Sequence, residues 1–164
     1  MSGLGVSDAG LGASSADLGI SGSDMRAILS YLQELGCPEQ IHAGVILGSG
    51  LGDYTEALGI THTIPYSDIP SFPQSTVEGH SGALIFGELE GQKVMAFSGR
   101  FHFYEGYVIE DTIIPVRLTH ALGVDKLLIS NAAGGINLEY EVGDLMVIDH
   151  IIRPHRRMMA QSSN

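Results

Sequence analysis

Apolar positions follow two different rhythms along this chain. Met25, Ile28, Leu29, Leu32 and Leu35 recur at helical spacing and predict an amphipathic helix beginning near Ser23. Ser23 or Asp24 can cap its start, Gly36 its end, and Pro38 stands just beyond. Elsewhere the apolar residues form short, nearly continuous runs: Ala43 to Leu47, Leu84 to Phe86, Val94 to Phe97, Lys126 to Ser130 and Asp144 to Ile148. Runs of that length, rich in β-branched residues, predict buried strands. The second and third flank a turn near Glu90-Gly91 and predict a hairpin-like pair. Asp53 to Leu58 reads as a short helix, and Ile64 to Ser75 as a Pro- and Ser-rich loop. Asp111 to Leu122 reads as a helix with Pro115 in its first turns, where a missing N–H costs least. Strands of this kind mixed with helices predict an α/β sandwich around a mixed sheet, with no internal repeat.

Composition narrows the class. A chain of 164 residues with 44% hydrophobic and 16% charged residues can bury one real core. A net charge of −11 and the lack of a basic stripe argue against a nucleic-acid partner. The only cysteine, Cys37, excludes an intrachain disulfide and fits a reducing cytosol. No apolar run approaches membrane-spanning length, and the N-terminus lacks the basic residues and apolar core of a signal peptide. Residues 1–22 are rich in Gly, Ser and Ala and read as a disordered tail. The last stretch is basic against the acidic trend, since Arg153, Arg156 and Arg157 are three of eight lysines and arginines.

Three segments carry candidate chemistry. Gly99-Arg-Phe-His-Phe-Tyr-Glu-Gly106 places a permanent cation, an imidazole and a phenol within five residues. In an extended segment Arg100, His102 and Tyr104 would project from one face, with two Phe rings on the other. An Arg fork with a neighbouring His suits a phosphate or carboxylate. An amphipathic edge strand with a solvated Arg/His face would show the same pattern. Upstream, Gly48-Ser-Gly-Leu-Gly52 follows a strand run and precedes a short helix, an arrangement whose backbone N–H groups can approach an anion. Its spacing matches neither the dinucleotide fingerprint nor a Walker loop. Asn131-Ala-Ala-Gly-Gly135 ends another strand run in small residues, and ligands of open α/β sheets bind outside such carboxyl ends; a simple strand–turn reads equally well.

Together with Glu78-Gly-His-Ser-Gly82, these segments occur in the order and spacing of the trimeric purine nucleoside phosphorylases. Ile69-Pro-Ser-Phe-Pro73, Pro115-Val-Arg117, Leu122-Gly-Val-Asp125 and Glu141-Val-Gly-Asp144 resemble that family too. The resemblance runs from about Ser23 to His150 and covers roughly the first half of a usual member. It implies a three-layer α/β sandwich of the phosphorylase/hydrolase-like kind, apparently truncated. Residues 23–151 would form the N-terminal part of the domain and residues 152–164 a basic tail foreign to the family, the mark of a frameshift, an alternative splice or a gene truncation; a divergent but real terminus is the other reading.

The implied activity is phosphate-dependent cleavage of purine (deoxy)ribonucleosides to free base and pentose 1-phosphate. By the family's pattern Ser49, Arg100, His102 and the Ala132 N–H would hold phosphate, and His80, on a nearby loop, Tyr104 and Glu105 are the catalytic candidates. Tyr104 would contact the pentose, Glu105 would order the phosphate site, and Ala133 and Gly134 would line the base. Phosphate is the co-substrate; no metal or organic cofactor is implied, and His42, His62, His120 and His155 read as surface or structural residues. The resemblance also implies a cytoplasmic homotrimer that binds neither nucleic acid nor membrane. The family's purine-holding residues lie in the second half, so this chain offers no group to neutralise a departing base and is expected to be inactive alone. The other readings are a non-catalytic phosphate-binding or interaction protein, the related methylthioadenosine phosphorylase and, more distantly, a dinucleotide-binding domain.

Overall fold

The computed structural model describes residues 20–48, 51–73 and 82–152, with the side chain of Tyr104 also outside the description. The glycine-rich head before residue 20 and the basic tail after residue 152 therefore lie outside the described residues. The chain divides into two compact units, residues 1–132 and residues 133–164.

Helix α1 spans Gly22–Glu34. Its cap lies two or three residues earlier than the sequence suggests, because Ser21 is the cap and Asp24 completes a capping box by accepting from the Ser21 N–H. At the other end Gly36 takes a left-handed φ of 72°. Its N–H donates to the Gln33 carbonyl and that of Cys37 to Leu32, the paired bonds of a Schellman end.

Strand β1 (Ala43–Leu47) leads into β2 (Gly59–Pro65), and β3 (Ala83–Leu89) turns tightly into β4 (Gln92–Ser98). A short α2 (Ile109–Thr112) and α3 (Ile114–Ala121) then precede β5 (Leu127–Ile129). The sheet order is β2-β3-β4-β1-β5. The first three strands are antiparallel neighbours, while β1 runs parallel to both β4 and β5. The mixed sheet is thus as expected, with β1 flanked by parallel partners reached in opposite directions.

Strands β1, β3 and β4 are buried on both faces, which explains their continuous apolar runs. On one face Ile46, Leu84, Phe86, Met95 and Phe97 pack with Ile28 and Leu32 of α1 and Ile114 and Leu118 of α3. On the other, Val45, Leu47, Ile85, Val94 and Ala96 pack against Leu58 and Tyr54 beside a 3₁₀ turn at Gly52–Ala57. That 3₁₀ turn is the short helix expected over Asp53–Leu58, one residue earlier.

Other expectations are corrected. Strand β2 carries no apolar run because it is an exposed edge, bulged between Ile60 and His62. The helix expected over Asp111–Leu122 is split at Ile113, leaving Pro115 in the first turn of α3. The β5 run is half-buried at Leu127 only; Leu128 and Ile129 are exposed at the sheet edge. In the second unit the run Asp144–Ile148 forms no strand: it has no ladder partner, and Leu145 and Val147 are almost fully exposed.

Candidate functional site

The chain leaves β1 towards β2, β3 and β4 on one side, then crosses through α2 and α3 to β5 on the other. The carboxyl end of β1 is therefore a topological switch point, where a crevice opens between diverging connections. Gly48 stands there. A Cβ built on it would lie 2.6 Å from the Ser130 carbonyl oxygen, 2.8 Å from Arg100 Nη2 and 3.0 Å from the Asn131 Cα. Only a glycine lets the ends of the three parallel strands meet this closely. Gly48, Arg100 and the Ser130-Asn131 step thus converge, although they are far apart in sequence.

Ser130 joins two of them. Its backbone N–H and its hydroxyl both donate to the Ile46 carbonyl, at 3.1 Å each, and its hydroxyl oxygen accepts from the Gly48 N–H at 3.0 Å. The strand run made Ser130 visible, but nothing in the sequence marked it as a brace.

Arg100 is placed by its neighbours. Gly99 takes a φ of +113°, which turns the chain out of the strand. A 3₁₀ turn at Phe103–Glu105 follows at once. The extended segment with Arg100, His102 and Tyr104 on one face is therefore not formed. Strand alternation needs 180° per residue, and a 3₁₀ turn advances about 120°. The two Phe rings diverge accordingly: Phe101 is buried and Phe103 is 71% exposed. Phe101 seats among Tyr66, Phe72 and Tyr107, with ring centroids 5.3, 5.7 and 5.3 Å away.

Arg100 Nε and Nη2 are both enclosed and have no hydrogen-bond partner among the described residues. Burial pushes the guanidinium pKa down. The group still carries its charge at any physiological pH. A cation with enclosed, unmatched donors is costly unless an anion completes it. His102 is half-buried beside it in sequence, and its carbonyl accepts the Glu105 N–H at 3.0 Å. Ala132 is exposed just past β5, its carbonyl accepting from Asn131 Nδ2 at 3.1 Å. Ser49 and His80 lie outside the described residues, as does the Tyr104 side chain. Ala133 and Gly134 open the second unit, where both are exposed.

Among the described residues no group of three His, Cys, Asp or Glu side chains is placed to hold a metal ion, and no helix is long and apolar enough to cross a membrane.

These features define an α/β protein with a positively charged, incompletely satisfied corner at the switch point of its sheet. Residues 42–162 match the family model of the phosphorylase superfamily. Purine nucleoside phosphorylase 1 of Geobacillus stearothermophilus is 54% identical over 115 residues, covering 70% of this chain and 42% of that protein. The Rattus norvegicus purine nucleoside phosphorylase is 53% identical over 111 residues, covering 67% of this chain and 38% of its own. A crystal structure of a purine nucleoside phosphorylase in complex with ribose-1-phosphate superposes with a TM-score of 0.68 at 45% identity, covering 74% of this chain and 44% of that one. The chain belongs to the phosphorylase superfamily. It spans about 42% of the length of the Geobacillus relative.

Proposed function

We propose that the protein is a purine nucleoside phosphorylase, transferring a pentose from a purine (deoxy)ribonucleoside to inorganic phosphate. The observation that carries this reading is the Arg100 fork beside Gly48 at the carboxyl ends of β1, β4 and β5, whose Nε and Nη2 are enclosed and have no hydrogen-bond partner among the described residues. In the reaction a phosphate oxygen forms a bond to the anomeric carbon as the bond from that carbon to the purine nitrogen breaks. Positive charge builds on the sugar ring. An anion held beneath the ring both supplies the nucleophile and stabilises that charge.

Arg100, His102, Ser49 and the Ala132 N–H would hold the phosphate, and Glu105 would keep that group of residues in order. His80 would act from the adjoining loop. Tyr104 would pack on the pentose, with Ala133 and Gly134 along the base. Phosphate is then co-substrate rather than cofactor, and the active assembly is a cytoplasmic homotrimer. The departing purine needs a proton or hydrogen bond. That side of the site would come from the share of the relatives' length that these 164 residues do not span.

The test is phosphate-dependent release of hypoxanthine from inosine. The 164-residue chain alone should release none. Joined after His150 to the corresponding remainder of the Geobacillus relative, it should release hypoxanthine only when phosphate is present. A folded chimera that cleaves inosine equally well without phosphate contradicts the reading.

A further inference from the structure

The residue that fixes the Arg100 turn is Tyr66, which stands in a 3₁₀ turn at Tyr66–Asp68 between β2 and β3. It is 3% exposed, yet its hydroxyl is matched: it donates to the Gly99 carbonyl at 3.0 Å. Its backbone N–H donates to the Gly82 carbonyl at 2.9 Å. Its ring lies so close over Gly82 that an added Cβ there would come within 2.2 Å of Tyr66 Cε2. A Cβ on Gly99 would in turn sit 3.0 Å from the Gly82 Cα. The same ring packs at a tilt against Phe72, with centroids 4.9 Å apart, and Phe101, at 5.3 Å. Tyr66 therefore grips both residues that bracket Arg100, Gly99 by a hydrogen bond and Phe101 by its ring. It also touches the last glycine of the Glu-Gly-His-Ser-Gly segment.

We propose that Tyr66 is a positioning residue for the anion site: its hydroxyl holds the Gly99 peptide so that the Arg100 guanidinium is aimed into the corner beside Gly48. This rests on reading that corner as a phosphate site. The physical basis is that Gly99, in the left-handed region, has no side chain to fix its own peptide plane. Without the Tyr66 hydroxyl, that peptide gains freedom to rotate, and the guanidinium it carries loses alignment. Its hydrogen bond reaches the Gly99 peptide, so Tyr66 acts through Arg100.

The test compares Tyr66→Phe with Phe72→Leu in the 164-residue chain. Tyr66→Phe keeps the ring and deletes only the hydroxyl. Phe72→Leu loosens the same aromatic cluster and leaves the hydroxyl bond intact. Inorganic phosphate binding is measured by calorimetry, alongside phosphate-free melting temperature and the Arg100 Nε–H resonance in a nitrogen-15 spectrum. Tyr66→Phe should weaken phosphate binding about three- to tenfold, the range of one hydrogen bond. It should also shift or broaden the Arg100 resonance, and should weaken binding no further in an Arg100→Ala background. Phe72→Leu should lower the melting temperature and leave phosphate affinity unchanged. Equal weakening in both variants, or an unmoved Arg100 resonance in Tyr66→Phe, overturns the proposal. If the unaltered chain takes up no phosphate, the phosphate reading fails, and the Arg100 resonance decides the positioning role by itself.

Discussion

Single residues explain why this corner of the sheet is cationic and open. Gly48, Gly82 and Gly99 are glycines for steric reasons: each touches backbone, a guanidinium or an aromatic ring where a Cβ would not fit. In the sequence they were visible only as glycine-rich motifs. The partners that make them necessary, Ser130, Arg100 and Tyr66, lie up to 82 residues away, and no local pattern joins them. Tyr66 drew no attention because it sits in a Pro- and Ser-rich stretch with no periodicity. Cys37 shows the opposite case, a residue whose chemistry follows from packing alone. It lies beside a pocket of about 250 Å³ lined by Leu29, Leu32, Phe86 and Leu122. Burial pushes its thiol up from 9.0 to about 11. A thiol that ionises later when folded than when unfolded contributes stability that is complete below pH 9 and is lost as the pH rises towards 11. Cys37→Ser should therefore flatten the decline of denaturant stability over that interval. Parallel declines in both proteins would show that the thiol is not held in its neutral form.

At the scale of elements, legibility followed burial. The α1 stripe and the β1, β3 and β4 runs could be read because their buried faces dictate their apolar positions. Edge strands obey no such rule. β2 and most of β5 are exposed, so the first was missed and the second was expected to be longer and more buried. The Arg100 segment misled for another reason. Alternating polar and aromatic residues imitate a strand, but the left-handed Gly99 and the 3₁₀ turn after it break the alternation. The β3–β4 hairpin was located correctly, and its turn carries a strain the sequence only hints at. Glu90 and Gly91 have φ of 50° and 76°, the two left-handed positions of a type I′ turn. A glutamate is poorly suited to the first of them. Glu90→Asn should raise unfolding stability by up to about 1 kcal/mol, measured by urea denaturation. A loss of stability would mean that the Glu90 side chain is stabilising the turn.

For the molecule as a whole, the sheet topology accounts for the site better than any motif does. Because β4 and β5 flank β1 on opposite sides, the segments that follow them come together at Gly48. That convergence could be anticipated only through the family resemblance, since sequence order alone does not give strand order. The resemblance reached the family correctly, and the phosphate-side residues it named include Arg100, whose Nε and Nη2 have no partner among the described residues. Among the described residues, neighbouring exposed apolar side chains gather in two stretches. One is the β5 edge with Leu128 and Ile129; the other, within the second unit, is the stretch carrying Ile136, Leu138, Val142 and Val147. Such surfaces favour association of chains, so measurements on the isolated chain belong at low protein concentration.

The central claim is that Arg100 is the anchor of a phosphate site. It is tested most directly by titrating inorganic phosphate into the 164-residue chain and its Arg100→Ala variant in a calorimeter. The account predicts one phosphate bound per chain, with affinity reduced in Arg100→Ala by about 1.5–3 kcal/mol, the range for a hydrogen bond to a charged group. That corresponds to a loss of more than about tenfold. Equal phosphate affinity in the two proteins would contradict it.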